Sequence, residues 1–281
     1  MADMIEHPST HTLQALASHR WAELNTCDFK FLDPARTVAV LPLGATEQHG
    51  PHLPLSVDTV LVDGVVDAAL HHLSATDPVL VLPTQSLGLS TEHTAFAGTL
   101  HVSPQTLIQI LCDIGASVAR AGVRKLLMFN AHGGNVGLMD VVARELRAQH
   151  GLIVYSSSWY NLPLDAKVMG QFSADEHRFG IHAGDIETSM MLALAPDRVN
   201  FNEAKNFPSN SQERSKRFAI LGDGKSAKLG WHMQDYNPQG AVGNAAAATA
   251  SKGNALIQSA GQQLALLLKE LVILPLSTVC D

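Results

Sequence analysis

The amino-acid sequence predicts an α/β protein of three layers, in which helices cover both faces of a mostly parallel central sheet. Four short apolar runs rich in β-forming residues alternate with longer segments of helical periodicity. Parallel strands need crossover connections, so this β-α-β-α-β-α-β order favours a parallel sheet between two layers of helices. Hydrophobic residues make up 46% of the 281 residues, which is sufficient for a large buried core.

The predicted strands are short and mostly apolar, as expected for strands that are buried on both faces. They lie at 37–41, 78–82, 125–129 and 152–156. The helices between them are predicted at 59–73, 104–121 and 136–149. Ser103 and Pro104 form a typical start for the second helix, an N-cap residue followed by proline. Gly122 and Gly151 follow the second and third helices, where left-handed C-terminal caps are common.

The regular alternation fades after the fourth strand. A helix is expected over 185–195, and 245–271 predicts one or two more helices with an interruption near 251–253. The segment 201–243 is polar, rich in Gly, Pro, Asn and Ser, and without a clear period. A long irregular segment inside a compact domain is more often a lid or an interface than a linker. We find no repeat and no boundary, so a single domain covering 1–281 is expected.

Charge and cysteine content exclude several classes of partner. The formal net charge is -7, from 19 basic and 26 acidic residues, and the chain has no basic run. This balance argues against binding to nucleic acids or to anionic membranes. The three cysteines form no CxxC pair, which indicates reduced thiols in a cytoplasmic protein. Residues 1–12 lack the basic start and apolar run of a signal peptide, and no stretch reaches the ~20 apolar residues of a membrane span.

Candidate ligands for a metal ion follow two of the predicted strands. Glu47 and His49 come directly after the first strand and are two residues apart, which puts both side chains on one side of an extended segment. Asp58 opens the next helix, and His132 follows the third strand. The carboxyl ends of parallel strands are where open α/β sheets bind ligands. Imidazoles and carboxylates without a thiolate are the donors that suit Zn, Mn or Fe.

Each of these residues has a simpler interpretation when it is taken alone. Asp58 and Asn135 could be helix N-caps, and His132 could be a hydrogen-bonded turn histidine. Glu187, in the first turn of the predicted helix 185–195, could merely complement the helix dipole. These interpretations do not explain why His, Glu and Asp collect after two strands of one sheet, so the metal site is the favoured hypothesis.

Four motifs resemble those of the creatininase (creatinine amidohydrolase) family. They are LPLGATEQHGPHLPLSVDTVL, STEHTAFAGTL, NAHGGN and HAGDIETSMMLAL, and they lie in the family's order between 38 and 196. The first motif is highly specific, whereas the others would be weak alone. The resemblance implies a creatininase-like three-layer α/β/α fold with a two-metal centre, usually assembled as a hexamer. It also implies hydrolysis of a C–N bond in a cyclic or small amide.

The resemblance also implies roles for individual residues. Glu47 and His132 would bind one metal ion, His49 would bind the other, and Asp58 would bridge them. The two metal ions would hold the hydroxide that attacks the amide carbonyl. They would be Zn and/or Mn, and Fe is a further option. His182 matches a histidine proposed as the family's proton donor. Trp159 matches an aromatic residue near the family's substrate pocket, and its alternative is a partly buried tryptophan at a strand end.

The chain departs from creatininase itself at Gly134. Creatininase has a metal-binding glutamate there, two residues after the histidine of the third motif. We infer that Glu187 supplies the missing carboxylate, as a ligand and a catalytic group; the alternative is that it only orients a ligand or a water molecule. This departure makes creatinine a doubtful substrate.

Three other functions stay open at this point. Two are enzymes of the same family: a formamide deformylase acting on a pyrimidine nucleotide, and a peptidase that trims a modified peptide. The motif segments contain no cluster of Arg or Lys that would bind a phosphate, which disfavours the nucleotide. The third is a non-catalytic protein that binds a metal ion or a small molecule on the same fold. For all of them we expect a homo-oligomer, with a hexamer as the expected state.

Overall fold

The computed structural model describes residues 16–280, and the segment 1–12, interpreted above as lacking a signal peptide, lies outside this range. A four-stranded sheet forms the centre of the molecule. Its strands are β1 (Val38–Leu43), β2 (Val79–Val81), β3 (Lys125–Asn130) and β4 (Ile153–Ser158). They are all parallel and lie in the order β2-β1-β3-β4. The four predicted strands are therefore confirmed.

The burial of the strands explains why they are so apolar. Every residue of β1, β2 and β3 is buried, because helices cover both faces of the sheet at these strands. β4 lies at an edge of the sheet and is only partly covered, so that Tyr155 is 43% exposed.

Within residues 16–280 the chain forms nine α-helices. They are α1 (Val57–Leu70), α2 (Pro104–Arg120), α3 (Val136–His150), α4 (Ala166–Met169), α5 (Ala174–Phe179), α6 (Asp185–Leu194), α7 (Asn210–Arg217), α8 (Met233–Tyr236) and α9 (Ala250–Ile273). In this part of the chain, none of the helices has the length and hydropathy that a membrane span requires.

The helices form two layers, each with its own apolar core. Helices α1, α6 and α9 pack together and cover one face of the sheet with one core. Helices α2 and α3 cover the other face with the second core. The predicted three-layer α/β/α architecture is confirmed.

The predicted interruption near 251–253 is wrong, because α9 runs unbroken from Ala250 to Ile273. The Thr249 hydroxyl caps its start by accepting a hydrogen bond from the backbone N–H of Lys252 at 3.3 Å. Gly253 lies where α9 crosses α6, so close that a Cβ there would collide with the backbone carbonyl of Ser189. The glycine therefore marks a close helix crossing and not a helix end.

The segment 201–243 is more ordered than its composition suggests. It contains α7 and α8, and its two-residue strand β5 (Asn206–Phe207) pairs antiparallel with β6 (Gly243–Asn244). Helix α7 has no buried residue, so it lacks the apolar stripe from which a helix is recognised in a sequence.

A crevice opens at the carboxyl ends of β1 and β3. These two strands are neighbours, yet the helices that follow them, α1 and α3, pack on opposite faces of the sheet. Such a reversal of winding leaves a gap at the strand ends, which is the usual ligand position in open α/β sheets.

Candidate metal centre

The segment after β1 delivers three carboxylate and imidazole groups to this crevice. Glu47 and His49 lie in extended chain and are both almost completely buried. Asp58 lies in the first turn of α1, which has Ser56 as its N-cap residue. The Asp58 side chain makes no capping hydrogen bond, and its carboxylate is 3% exposed. The N-cap interpretation of Asp58 is therefore wrong.

A network of side-chain amides holds the turn after β3. The Asn130 amide donates to the backbone carbonyl of His132 at 2.7 Å and accepts from its N–H at 3.1 Å. The Asn135 side chain donates to the Gly44 carbonyl at 3.2 Å and accepts from Leu89 N–H at 3.0 Å. Asn135 occupies the N-cap position of α3 but makes no capping hydrogen bond. It therefore ties together the chain segments that follow three strands.

The candidate ligands converge on Asp58. His132 Nδ1 lies 3.3 Å from Glu47 Oε1 and 3.5 Å from Asp58 Oδ2. His49 Nε2 lies 3.6 Å from Asp58 Oδ1 and 3.9 Å from Glu187 Oε2. The donors fall into overlapping groups that could each hold an ion, among them Glu47, Asp58 and His132, and His49, His182 and Glu187. Asp58 is thus positioned between two groups, as expected for a bridge, although its role stays a prediction.

Unpaired polar atoms indicate that this centre is built for a metal. Glu47 Oε2, His49 Nε2 and Asp58 Oδ2 are buried, and none of them has a hydrogen-bond partner in the described structure. An unpaired buried polar atom is costly, and buried charges are normally paired or coordinate a metal. The donor set of nitrogen and oxygen atoms fits a divalent ion such as Zn or Mn.

Backbone carbonyls determine which imidazole nitrogens are free to bind an ion. His49 Nδ1 donates to the Glu47 carbonyl at 3.0 Å, and His132 Nε2 donates to the Leu89 carbonyl at 2.8 Å. A carbonyl only accepts, so the hydrogen lies on those nitrogens. In a neutral ring, the form that binds an ion, the lone pair is on the opposite nitrogen. These nitrogens are His49 Nε2 and His132 Nδ1, and both face carboxylates. Such outer contacts commonly orient metal-binding histidines.

Burial and the charges of neighbouring side chains shift the pKa values of the candidate ligands. Burial alone would raise the pKa of Glu47, but the imidazoles of His132 and His93 hold it well below its usual value. Burial would likewise lower the pKa of His132 and of His49, but the facing carboxylates raise these values to about 10 and about 9. Burial raises the pKa of Glu187 to about 7, against the opposing effect of His49. His49 and His132 therefore hold protons that an ion would have to displace.

His182 is a neutral imidazole beside the candidate ligands. Its ring centroid lies 4.2 Å from that of His49. Its Nε2 donates to the backbone carbonyl of Gln48 at 2.8 Å, and its Nδ1 lies 3.9 Å from Glu47 Oε1. Burial, followed by the charge of His49, lowers the pKa of His182 well below its usual value. The predicted proton donor is thus placed next to the centre.

A buried glutamate shapes the segment that carries His182 and Glu187. Glu176 of α5 accepts hydrogen bonds from Ile186 N–H and Asn244 N–H, each at 3.1 Å. Glycines 180, 184 and 243 surround its carboxylate so closely that a Cβ on any of them would collide with it. Within the same segment Ala183 has a φ of 55°, and its N–H donates to Glu187 Oε2 at 2.6 Å. This contact directs the Glu187 carboxylate towards the centre.

A cavity of about 690 Å³ leads to the centre. Trp159 lies in its wall and is 3% exposed; its Nε1 has no hydrogen-bond partner in the described structure. Trp159 also packs in one of the apolar cores. It therefore has features of both interpretations, a residue near the substrate pocket and a tryptophan packed at a strand end. Trp231 contributes to the opening from the segment 201–243. None of the described residues that line the cavity is a lysine or an arginine.

Among the residues near the centre that sequence reasoning missed are Gln48, His93, Glu176 and Trp231. Gln48 and His93 stand inside the quoted motifs, so the motifs were the available signal, but no ligand pattern pointed to either residue. Glu176 and Trp231 come from segments without a regular pattern, and only the tertiary structure brings them to the cavity.

Comparisons with known proteins identify the family of this chain. The family model described as creatininase (creatinine amidohydrolase) matches residues 22–268. A mycofactocin precursor peptide peptidase of Mycobacterium tuberculosis is 34% identical over 183 residues, which are 63% of this chain and 66% of that protein, just under two thirds. A creatinine amidohydrolase of Pseudomonas putida is 32% identical over 184 residues, 61% of this chain and 69% of that protein. A crystal structure of creatinine amidohydrolase (creatininase) has a TM-score of 0.72 and 26% identity, covering 91% of this chain and 98% of that one. The chain therefore belongs to the creatininase family.

Proposed function

We propose that this protein is a metal-dependent amidohydrolase that cleaves a C–N bond of a cyclic or small amide, with two divalent ions, Zn and/or Mn or else Fe. The observation that carries the proposal is the set of buried, unpaired donor atoms at the sheet crevice, open to a cavity. The strand-end position, the donor chemistry and the family membership all support it.

Two sets of residues would hold the ions. Glu47, His132 and Asp58 form one set; His49, Asp58 and Glu187 form the other. Divalent ions bound there would polarise an amide carbonyl and make a water molecule more acidic. Asp58 would serve both ions, because its two oxygens face His49 and His132 separately.

His182 would carry the proton of the reaction. The amide nitrogen is a poor leaving group unless it is protonated, and general acid catalysis needs a side chain that can take up a proton and release it. His182 Nε2 is held by the Gln48 carbonyl, so Nδ1 is the atom that accepts a proton at the centre and returns it to the leaving nitrogen. Glu187 would assist catalysis from its position beside His49.

A modified-peptide substrate is the second candidate. The cavity is large for a single small ring, and aromatic and aliphatic side chains, including Trp159 and Trp231, line it. A relative with 34% identity is a mycofactocin precursor peptide peptidase. A phosphorylated nucleotide is disfavoured, because the described lining offers no basic side chain to bind a phosphate.

An activity screen with defined metal content tests the proposal. The protein is stripped with a chelator, reloaded with Zn or Mn, and assayed against a panel of cyclic amides and short peptides. We expect C–N hydrolysis only in the reloaded samples, and the preferred panel member identifies the substrate class. Two bound metals without turnover of any amide would instead favour the non-catalytic binding protein.

A further inference from the structure

Three groups of potential ligands, not two, surround the centre. The third consists of Glu47, His93 and His182, and all three residues are buried. An imidazole binds a metal only through a nitrogen that carries a lone pair. The positions of the imidazole hydrogens therefore decide whether this third group can act as a metal site.

The orientation of the Gln48 amide can be assigned from the backbone. Gly50 N–H donates to Gln48 Oε1 at 3.0 Å, and a backbone N–H can only donate. The oxygen of the amide is thereby identified, and the other end must be the NH₂ group. Gly240 lies against this oxygen so closely that a Cβ there would collide with it, which holds the amide in place.

The amide then determines the tautomer of His93. Gln48 Nε2 lies 2.7 Å from His93 Nδ1 and can only donate, so Nδ1 is the acceptor. The hydrogen of the neutral His93 ring must be on Nε2, which lies 3.3 Å from Glu47 Oε1. His93 therefore presents an N–H, not a lone pair, to this carboxylate.

The backbone carbonyl of Gln48 determines the tautomer of His182. His182 Nε2 lies 2.8 Å from the Gln48 carbonyl and 3.3 Å from the Gln48 amide nitrogen. The carbonyl only accepts and the amide nitrogen only donates, so the shorter contact is the hydrogen bond. The hydrogen is on Nε2, and the lone pair of Nδ1 faces the centre.

We propose that Gln48 is a positioning residue that sets the tautomers of His93 and His182. His93 presents its Nε2–H to Glu47 and is not a metal ligand, whereas His182 keeps Nδ1 free for proton transfer. This inference rests on the proposed metal centre. Without His93 as a ligand, only two of the three candidate groups can act as metal sites. Glu47 Oε2, which has no hydrogen-bond partner, is then the oxygen that would bind the ion.

Metal titration separates a positioning role from a ligand role. Zn or Mn is titrated into stripped protein, and both the dissociation constant and the number of ions at saturation are measured. His93→Ala should still bind two ions at saturation, with affinity reduced by about 10- to 100-fold, as is typical when a group supporting a ligand is removed. His132→Ala is the comparison variant and should lose an ion even at saturation. A lost ion in His93→Ala would overturn the proposal.

Nitrogen-15 NMR of histidine-labelled, Zn-loaded protein reads the tautomers directly and does not depend on a variant folding. His93 should show a bare Nδ1 and a protonated Nε2. Gln48→Glu replaces the amide donor by an acceptor and should move the His93 hydrogen to Nδ1, while the matched exposed variant Gln258→Glu should leave it on Nε2. A bare, metal-bound His93 Nε2 in the unaltered protein, or an unmoved hydrogen in Gln48→Glu, would contradict the inference. Absence of any bound metal would instead refute the proposed function.

Discussion

The candidate metal centre depends on a few side chains. The groups that hydrogen-bond to these side chains matter for it as much as the candidate ligands do. Glu47, His49, Asp58 and His132 are buried, and each imidazole among them is oriented by a backbone carbonyl. The other ring nitrogen of each imidazole already faces a carboxylate, so little movement of these side chains is needed to hold an ion once its proton is displaced. Preorganisation of this kind is typical of metal sites whose outer contacts are satisfied.

Asp58→Ala should remove more metal than His132→Ala, because the oxygens of Asp58 face both groups of donors. We expect Asp58→Ala to lose most of both ions and His132→Ala to lose one, and both variants to lose essentially all activity. Metal analysis of the purified variants measures this, with the exposed Asp140→Ala as control. Unchanged metal content in Asp58→Ala would show that its carboxylate is not a ligand.

Glu187→Gln tests the residue proposed to compensate for Gly134. A side chain at 134 has no room, because a Cβ there would collide with the Leu89 carbonyl and the His132 ring. Glu187 lies at the start of α6, and Ala183 N–H orients its carboxylate. We expect the metal ratio to fall from two towards one. Two ions at full occupancy with reduced turnover would make Glu187 a proton carrier or an orienting residue instead.

Metal binding should release protons. The pKa is about 9 for His49 and about 10 for His132 in the metal-free protein, so both imidazoles are protonated at neutral pH. Glu187, with a pKa of about 7, adds a further fraction. All three pKa values are raised, so protons compete with the metal ion at any pH below these pKa values. The apparent metal affinity therefore rises with pH until the pH exceeds all three pKa values. Calorimetry at pH 7 in two buffers of different ionisation enthalpy should show between two and three protons released when both sites fill. Binding without proton release would contradict this assignment.

At the scale of elements, close crossings of helices position the site. Helix α6 carries Glu187 and packs against α9 and α1, which form one layer of the fold. The contact between α6 and α9 is so close at Gly253 that no side chain fits. The glycine that weakened the prediction of α9 from the sequence is thus what allows the layer to form.

Gly253→Ala should therefore destabilise the protein, although alanine is normally the better helix former. In a free helix the change would stabilise by about 1 kcal/mol. Here the added Cβ meets the Ser189 carbonyl, and overpacking typically costs about 1–3 kcal/mol. Gly137→Ala in α3 is the matched control, because a Cβ there contacts nothing and the residue is exposed. Chemical unfolding measures both, and a Gly253→Ala variant as stable as the control would disprove the close crossing.

At the scale of the whole molecule, the family resemblance and the segment 201–243 lead us to expect a homo-oligomer, with a hexamer as the expected form. Some large apolar side chains on the described surface agree with this: Ile220 is 64% exposed, Leu221 62% and Ile273 76%. Burying such side chains against another copy would be favourable, by about 25 cal/mol per Å² of apolar area. Sedimentation at micromolar concentration tests the assembly, and a stable monomer there would refute it.

The helices and strands that the sequence predicted well are those with a strong apolar pattern, an unbroken run in β1 and β3 and helical periodicity in α2. β1, β3 and α2 were placed to within two residues at each end, because their burial produces a strong pattern and clear caps. Helix α7 was missed, because it buries no residue and produces no pattern. The continuity of α9 was missed as well, because propensity does not reveal that a glycine is required by a neighbouring helix.

The sequence by itself determined the chemistry: which strand ends carry imidazoles and carboxylates, and hence that these donors meet at one edge of a parallel sheet. Only the tertiary structure decided which atoms of those residues are available to bind an ion or to transfer a proton. His93 and His182 bond to Gln48, and Glu176 bonds to Asn244, across separations of 45 or more residues. These hydrogen bonds form only after folding. A residue's type states what it can donate or accept, whereas the partner that takes its hydrogen is a property of the folded neighbourhood.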